Sequence, residues 1–267
     1  MTARPLAGRT ALVAGGSSGI GAATAVALAR EGADVAIAAR RAVELTEVAD
    51  AVRAHGARAL TVLADFAADD GVASCVETVR DRLGPIDLLI YSAAAVRLGA
   101  VHETALRHWD LMLRLNLTAP FLLVRELMPS MLERGHGWMV MIGSAAGLEA
   151  VPGTGGYGVT KAALHQLTEL VAEEGRDHGV RAAAICPGWV RTGLAADPAS
   201  QGVPETDVLT AEDVADTVAW LVTRPARMNV GPLIPVAPVA SRADANRGLT
   251  RYAFAAAVPS AAASGQR

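Results

Sequence analysis

Short apolar runs alternate with helix-periodic segments along almost the whole of this 267-residue chain. Thr10 to Ala14 reads as a buried strand and Gly19 to Arg30 as the helix after it. Asp34 to Ala39 and Val43 to Ala54 repeat the pair, as do Ala57 to Leu63 and Val72 to Leu83. Ile86 to Tyr91 is a fourth strand. Leu106 to Leu115 and Pro120 to Glu133 read as two helices, followed by a strand at Trp138 to Ile142. Tyr157 to Asp177 is a long helix and Arg181 to Ile185 a sixth strand. Ala211 to Val222 is a helix and Leu233 to Val236 a last short strand. Strands joined through helices must run parallel, because a tight hairpin cannot connect parallel neighbours. Repeated right-handed crossovers then bury one sheet between two helical layers. The expected fold is therefore α/β, a doubly wound parallel sheet of about seven strands with helices on both faces.

Nothing along the chain divides it. One domain is expected over 1–239, followed by an Ala/Ser/Gly-rich tail at 240–267 that reads as flexible. The segment 188–210 is rich in Gly, Pro and Asp and lacks periodicity, the composition of a loop that covers a site. Hydrophobic residues make up 52% and charged residues 19%, enough for a sizeable core. Much of the apolar share is alanine, and no run approaches the ~20 apolar residues of a spanning helix. A net charge of −3 gives no basic excess for nucleic acid. Cys75 and Cys186 stand far apart, and His102, His108, His136, His165 and His178 are scattered, so no metal site is expected. Those histidines read as surface or cap residues. The N-terminal residues lack the apolar core of a signal peptide, so a cytoplasmic protein without membrane or nucleic-acid partners is expected.

The basic residues are almost all arginine, and the only lysine is Lys161. A lysine is a compact point charge and an arginine a planar fork, so a lone lysine marks a position where the two differ. Chance retention is the other explanation.

The first strand runs into Ala14-Gly15-Gly16-Ser17-Ser18-Gly19-Ile20-Gly21 at the start of a helix. Glycines there let the backbone turn and approach a pyrophosphate, and the helix N-terminus aims its amides at the anion. This is the dinucleotide-binding element of a Rossmann-type fold. The second strand ends in Arg40-Arg41, with no carboxylate before Glu44. A carboxylate there would hold a ribose 2′-hydroxyl, whereas arginine accommodates a 2′-phosphate. NADP(H) is thus preferred, with NAD(H) as the other nicotinamide cofactor such a fold accepts.

Tyr157 and Lys161 are four residues apart on an expected helix, hence on one face, and Ser144 follows the fifth strand. A free phenol has a pKa of about 10, and a nearby ammonium favours its ionised form. Such a tyrosine donates a proton to a carbonyl oxygen as hydride reaches the carbon, while the serine hydroxyl holds that oxygen.

With its GxxxGxG spacing and this Ser/Tyr/Lys set, the chain resembles the classical short-chain dehydrogenases/reductases from the glycine segment to the last strand. It has Ala14 where that family usually has threonine, and Tyr91-Ser92-Ala93-Ala94 where it commonly has NNAG. It ends in Asn229-Val230-Gly231-Pro232 rather than the commoner VDGG. The resemblance implies cofactor contacts from Gly15, Ser17, Ser18, Gly19, Ile20, Gly21, Arg40 and Arg41. It places Asp65 at the adenine amino group with Phe66 beside it, and Ser92, Ala93 and Ala94 along the cofactor. It gives Pro187, Gly188 and Val190 to the nicotinamide, Thr192 to its carboxamide and Lys161 also to its ribose. It makes Asn116 the holder of a water in the proton relay. It also implies a homodimer or homotetramer built on the long helices.

The function these features support is NADP(H)-dependent interconversion of a carbonyl and an alcohol. Ala146, Leu148, Val151, Trp189 and Leu194 are the expected substrate wall, and their apolar character suits a neutral ketone, aldehyde or polyketide-like intermediate. Arg97 and Arg191 leave room for a carrier-bound substrate. The scaffold also serves lyases, dehydratases and epimerases, and a cofactor-sensing binding protein without turnover, since fold does not fix reaction.

Overall fold

A computed structural model describes residues 4–194 and 203–238. The chain winds as β1 (Thr10–Ala14), α1 (Gly19–Arg30), β2 (Asp34–Ala39), α2 (Ala42–Arg53), β3 (Ala59–Leu63), α3 (Gly71–Leu83) and β4 (Leu88–Tyr91). It continues as α4 (Leu106–Leu113), α5 (Ala119–Arg134), β5 (Gly137–Ile142), α6 (Gly156–Gly175), β6 (Val180–Pro187), α7 (Ala211–Val222) and β7 (Leu233–Val236). The seven strands form one parallel sheet in the order β3-β2-β1-β4-β5-β6-β7. The order reverses beside β1, which lies between β2 and β4. At such a switch point the connections leave β1 and β4 toward opposite faces and open a crevice at the strand carboxyl ends.

Alternate residues of each strand enter different cores. Leu12, Ala36, Leu89, Tyr91, Met139 and Met141 pack with Val72, Val76, Val79, Leu123, Leu127 and Leu164 of α3, α5 and α6. Ala11, Val13, Val35, Ile37, Ile90 and Val140 pack with Leu28, Leu45, Val52, Val214, Val218 and Leu221 of α1, α2 and α7. Both faces are buried, as the unbroken apolar strands require. The alanines let layers approach closely: Ala27 of α1 meets Ala215 and Ala219 of α7.

The expected elements are all present, and no end is shifted by more than two residues. One joint differs. The helices expected at 106–115 and 120–133 are joined through a π-helical turn, Arg114–Thr118, in which the Ala119 N–H donates to the Arg114 carbonyl. Pro120 has no N–H to give an α-helical bond, and the extra residue of the π turn absorbs that loss without ending the helix.

Of the loop expected over 188–210, residues 195–202 lie outside the described residues, as does the expected tail. The two described ends of the loop are zipped together. Leu209 N–H donates to the Trp189 carbonyl and Arg191 N–H to the Leu209 carbonyl, both at 2.9 Å. No described helix is long and apolar enough to cross a membrane.

Candidate active site

A cleft of about 620 Å³ lies over the carboxyl ends of the strands, beside the switch point. Of the expected cofactor residues, Gly15, Ser17, Ser18, Gly19, Ile20, Arg40, Arg41, Asp65, Phe66, Ser92, Ala93, Ala94, Tyr157, Lys161, Pro187, Gly188, Val190 and Thr192 line it. Gly21 does not. It packs the turn onto the helix: a Cβ there would meet the Gly15 carbonyl oxygen at 2.2 Å. Among the expected substrate residues Ala146, Val151, Trp189 and Leu194 line the cleft, and Leu148 does not. Leu148 follows a single 3-10 turn and lies 38% exposed on the outside of that loop, a bend the sequence did not announce. Val96, Leu98 and Thr154 are among the further lining residues that were not anticipated. They come from loops that lack the periodicity by which a buried residue is read from sequence.

The residues fit a dinucleotide. Gly15 takes φ +84°, and a Cβ on it would lie 2.4 Å from the Ala93 nitrogen, so only glycine lets the two loops close at the cleft floor. Ser18 at the start of α1 makes no side-chain cap, and the first turn of α1 carries no acid. The helix N-terminus is therefore uncompensated, which suits a phosphate. The Arg41 guanidinium donates to Ser18 Oγ at 2.7 Å and Ser17 Oγ at 3.2 Å, and pairs with Glu44 at 2.8 Å. That holds a cation beside the glycine turn at the start of α1. Asp65 accepts from the Ala67 N–H at 3.0 Å while lining the cleft, so it shapes its loop as well.

At the other end of the cleft, Ser144 leaves β5 in extended backbone, and its Oγ accepts from the Ala146 N–H at 3.2 Å. Its hydroxyl lies close enough to the Tyr157 side chain to pull the phenol's pKa downward. Tyr157 sits in the first turn of α6, with Lys161 one turn further. Lys161 is 2% exposed; its Nζ donates to the Ile142 carbonyl at 2.6 Å and lies 5.8 Å from the Tyr157 ring centroid.

The electrostatics correct one expectation. Burial holds the Tyr157 phenol above its ordinary pKa, and the Ser144 hydroxyl is the influence that lowers it. Lys161 is pulled down to about 8 by burial. Desolvation thus outweighs the ammonium–phenol attraction that the four-residue spacing suggested.

Asn116 is fully buried in the π turn and does not line the cleft. Its Oδ1 accepts from the Ala95 N–H at 2.8 Å. Its Nδ2 donates to the Ala95 carbonyl at 2.9 Å and to Thr160 Oγ1 at 3.0 Å. It ties the loop after β4 to α6 next to Lys161. Tyr91 reinforces the turn by donating to the Leu115 carbonyl at 2.5 Å, a role that its place at a strand end did not reveal. His136, with its side chain 37% exposed, bonds Asp87 at 2.8 Å, whereas His165 departs from the surface reading: it is 3% exposed behind Ser144. Among the described residues no cluster suits a metal ion.

The short-chain dehydrogenase family profile matches residues 9–201, and the chain belongs to that family of nicotinamide-dependent oxidoreductases. It is 35% identical to a 3-oxoacyl-[acyl-carrier-protein] reductase of Synechocystis sp. over 83% of this chain and 92% of that one. It is 32% identical to glycine betaine reductase ATRR of Emericella nidulans over 86% of its own length, but spans 19% of that much longer relative. Among solved structures, a metagenomic short-chain oxidoreductase in complex with NADP superposes with a TM-score of 0.77 at 31% identity. The match covers 88% of this chain and 99% of that one.

Proposed function

We propose that the chain reduces a neutral carbonyl compound with NADPH, or runs the reverse oxidation. The observation that carries this reading is the meeting of Ser144, Tyr157 and Lys161 at one end of a cleft whose other end holds Arg41. When bound, the nicotinamide supplies or accepts the hydride. The chain's own residues do the rest. Ser144 donates to the substrate oxygen and holds it within reach of the Tyr157 hydroxyl. Tyr157 gives that oxygen its proton. Burial keeps the phenol protonated but makes it a weaker acid, and Lys161, charged near neutrality, offsets that by stabilising the phenolate left behind. Asn116 keeps α6 and the loop after β4 in register around this corner.

Arg40, Arg41, Ser17 and Ser18 are the donors for a ribose 2′-phosphate, and the NADP complex of the similar metagenomic oxidoreductase supports the same choice. Val151, Val96, Leu98 and Leu194 make the substrate end apolar, which favours an uncharged ketone or aldehyde. Exposed Phe121 on α5 and Leu170 on α6 support a homodimer or homotetramer that covers them.

Two measurements test the reading together. Tyr157→Phe is expected to lower turnover of a ketone panel by roughly 10²–10⁴-fold while NADPH still binds. Arg41→Ala is expected to weaken NADPH by about tenfold or more and leave NADH nearly unchanged. Near-normal turnover by Tyr157→Phe refutes the mechanism, and equal loss of both cofactors refutes the 2′-phosphate site.

A further inference from the structure

Gly143 and Gly147 bracket the Ser144 loop, and one ring lies against both. A Cβ on Gly143 would stand 2.4 Å from His165 Nε2, and one on Gly147 would stand 2.7 Å from His165 Cε1. Neither position has room for a side chain while the imidazole is there. The ring comes from α6, four residues beyond Lys161, and is 3% exposed. The Ser144 N–H donates to its Nε2 at 3.3 Å, and Cys186 Sγ on β6 lies 3.3 Å from the same nitrogen. A nitrogen that accepts carries no proton, so the Ser144 contact points to the neutral ring with its hydrogen on Nδ1, a buried nitrogen that makes no hydrogen bond among the described residues. Charge around the ring agrees. Burial and the Lys161 ammonium hold its pKa down to about 4, and the Cys186 thiol, raised by burial to about 11, stays protonated.

We propose that His165 is a positioning residue for the reduction: as a neutral acceptor wedged beneath the 143–147 loop, it fixes the Ser144 backbone so that the serine hydroxyl meets Tyr157. The inference rests on the reductase reading. Serine has a single side-chain torsion to Oγ, so a backbone held by His165 restricts Oγ to a few staggered places, and a shift of that backbone moves all of them. Within the glycine-flanked loop the one side-chain bond is the Ser144 cap on the Ala146 N–H, and the histidine adds an anchor from below. The same ring contacts α6 one turn from Lys161, so the serine loop and the tyrosine helix share one support.

The test uses His165→Gln, whose side-chain oxygen reaches about the place of Nε2 as an acceptor, and His165→Leu, which removes the acceptor. His165→Leu is expected to lower kcat by about a hundredfold, the cost of a small misplacement. NADPH affinity and the carbonyl KM are expected to stay within about threefold, and His165→Gln to recover most of kcat. A His165→Leu enzyme with normal kcat, or variants that lose KM, cofactor affinity and thermal stability in parallel, would overturn the proposal. Nitrogen NMR of wild-type protein labelled at histidine decides the acceptor independently of any substrate. The neutral Nδ1–H form at pH 7 is expected, and an Nε2–H or doubly protonated ring refutes it. Absence of carbonyl turnover in wild type would instead sink the reductase reading and leave the NMR result to decide the anchor.

Discussion

Lys161 shows how much can hang on one side chain. Its ammonium is enclosed, bonded to the Ile142 carbonyl and placed against the Tyr157 ring. A guanidinium is larger and planar and needs several acceptors in its plane. Lys161→Arg is therefore expected to keep the formal charge and still lose at least about tenfold in kcat, measured as NADPH consumption with a ketone. Equal turnover by the arginine variant would return the lone lysine to chance. The composition pointed to this position, yet it could not give the environment. The four-residue spacing suggested an ammonium lowering the tyrosine pKa, whereas burial dominates both groups. Spacing gives proximity along a helix but not the depth at which the pair is buried.

At the scale of elements, the π turn between α4 and α5 organises the floor of the site. Asn116 is its central polar group and satisfies both backbone groups of Ala95. Asn116→Ala would leave that buried N–H and carbonyl without partners, a cost of about 3 kcal/mol. Urea unfolding is expected to show the loss together with a fall in kcat, and an unchanged midpoint would contradict the clamp. The strands and most helices were legible because apolar runs and 3.6-residue periodicity are local signals. The π turn was not: Pro120 looked like a helix start, and only the three-dimensional bond from Ala119 to Arg114 shows the helix continuing. His165 was misread for a related reason. A histidine on a helix face gives no sign of being buried until the loop packed on it is known to carry glycine at Gly143 and Gly147.

For the molecule as a whole, the buried imidazole links stability to acidity. Unfolded, His165 would titrate near its ordinary value of 6.5, and in the fold it is held down to about 4. The unfolded chain therefore binds the proton first as pH falls, and stability contributed above pH 6.5 is lost progressively toward pH 4. Urea midpoints measured across that window are expected to fall more steeply for wild type than for His165→Gln, and identical slopes would contradict the burial argument. The same architecture places the glycine turn, the Ser144, Tyr157 and Lys161 corner and an apolar wall along one cleft at the switch point of the sheet. The most direct test of that arrangement follows the hydride itself. With NADPH deuterated at the transferable position and a ketone that is turned over, mass spectrometry of the alcohol is expected to find a single deuterium on the former carbonyl carbon. Its yield should match the NADPH consumed and should collapse in Tyr157→Phe. Product formed without loss of NADPH, or alcohol without the label, would contradict hydride transfer in this cleft.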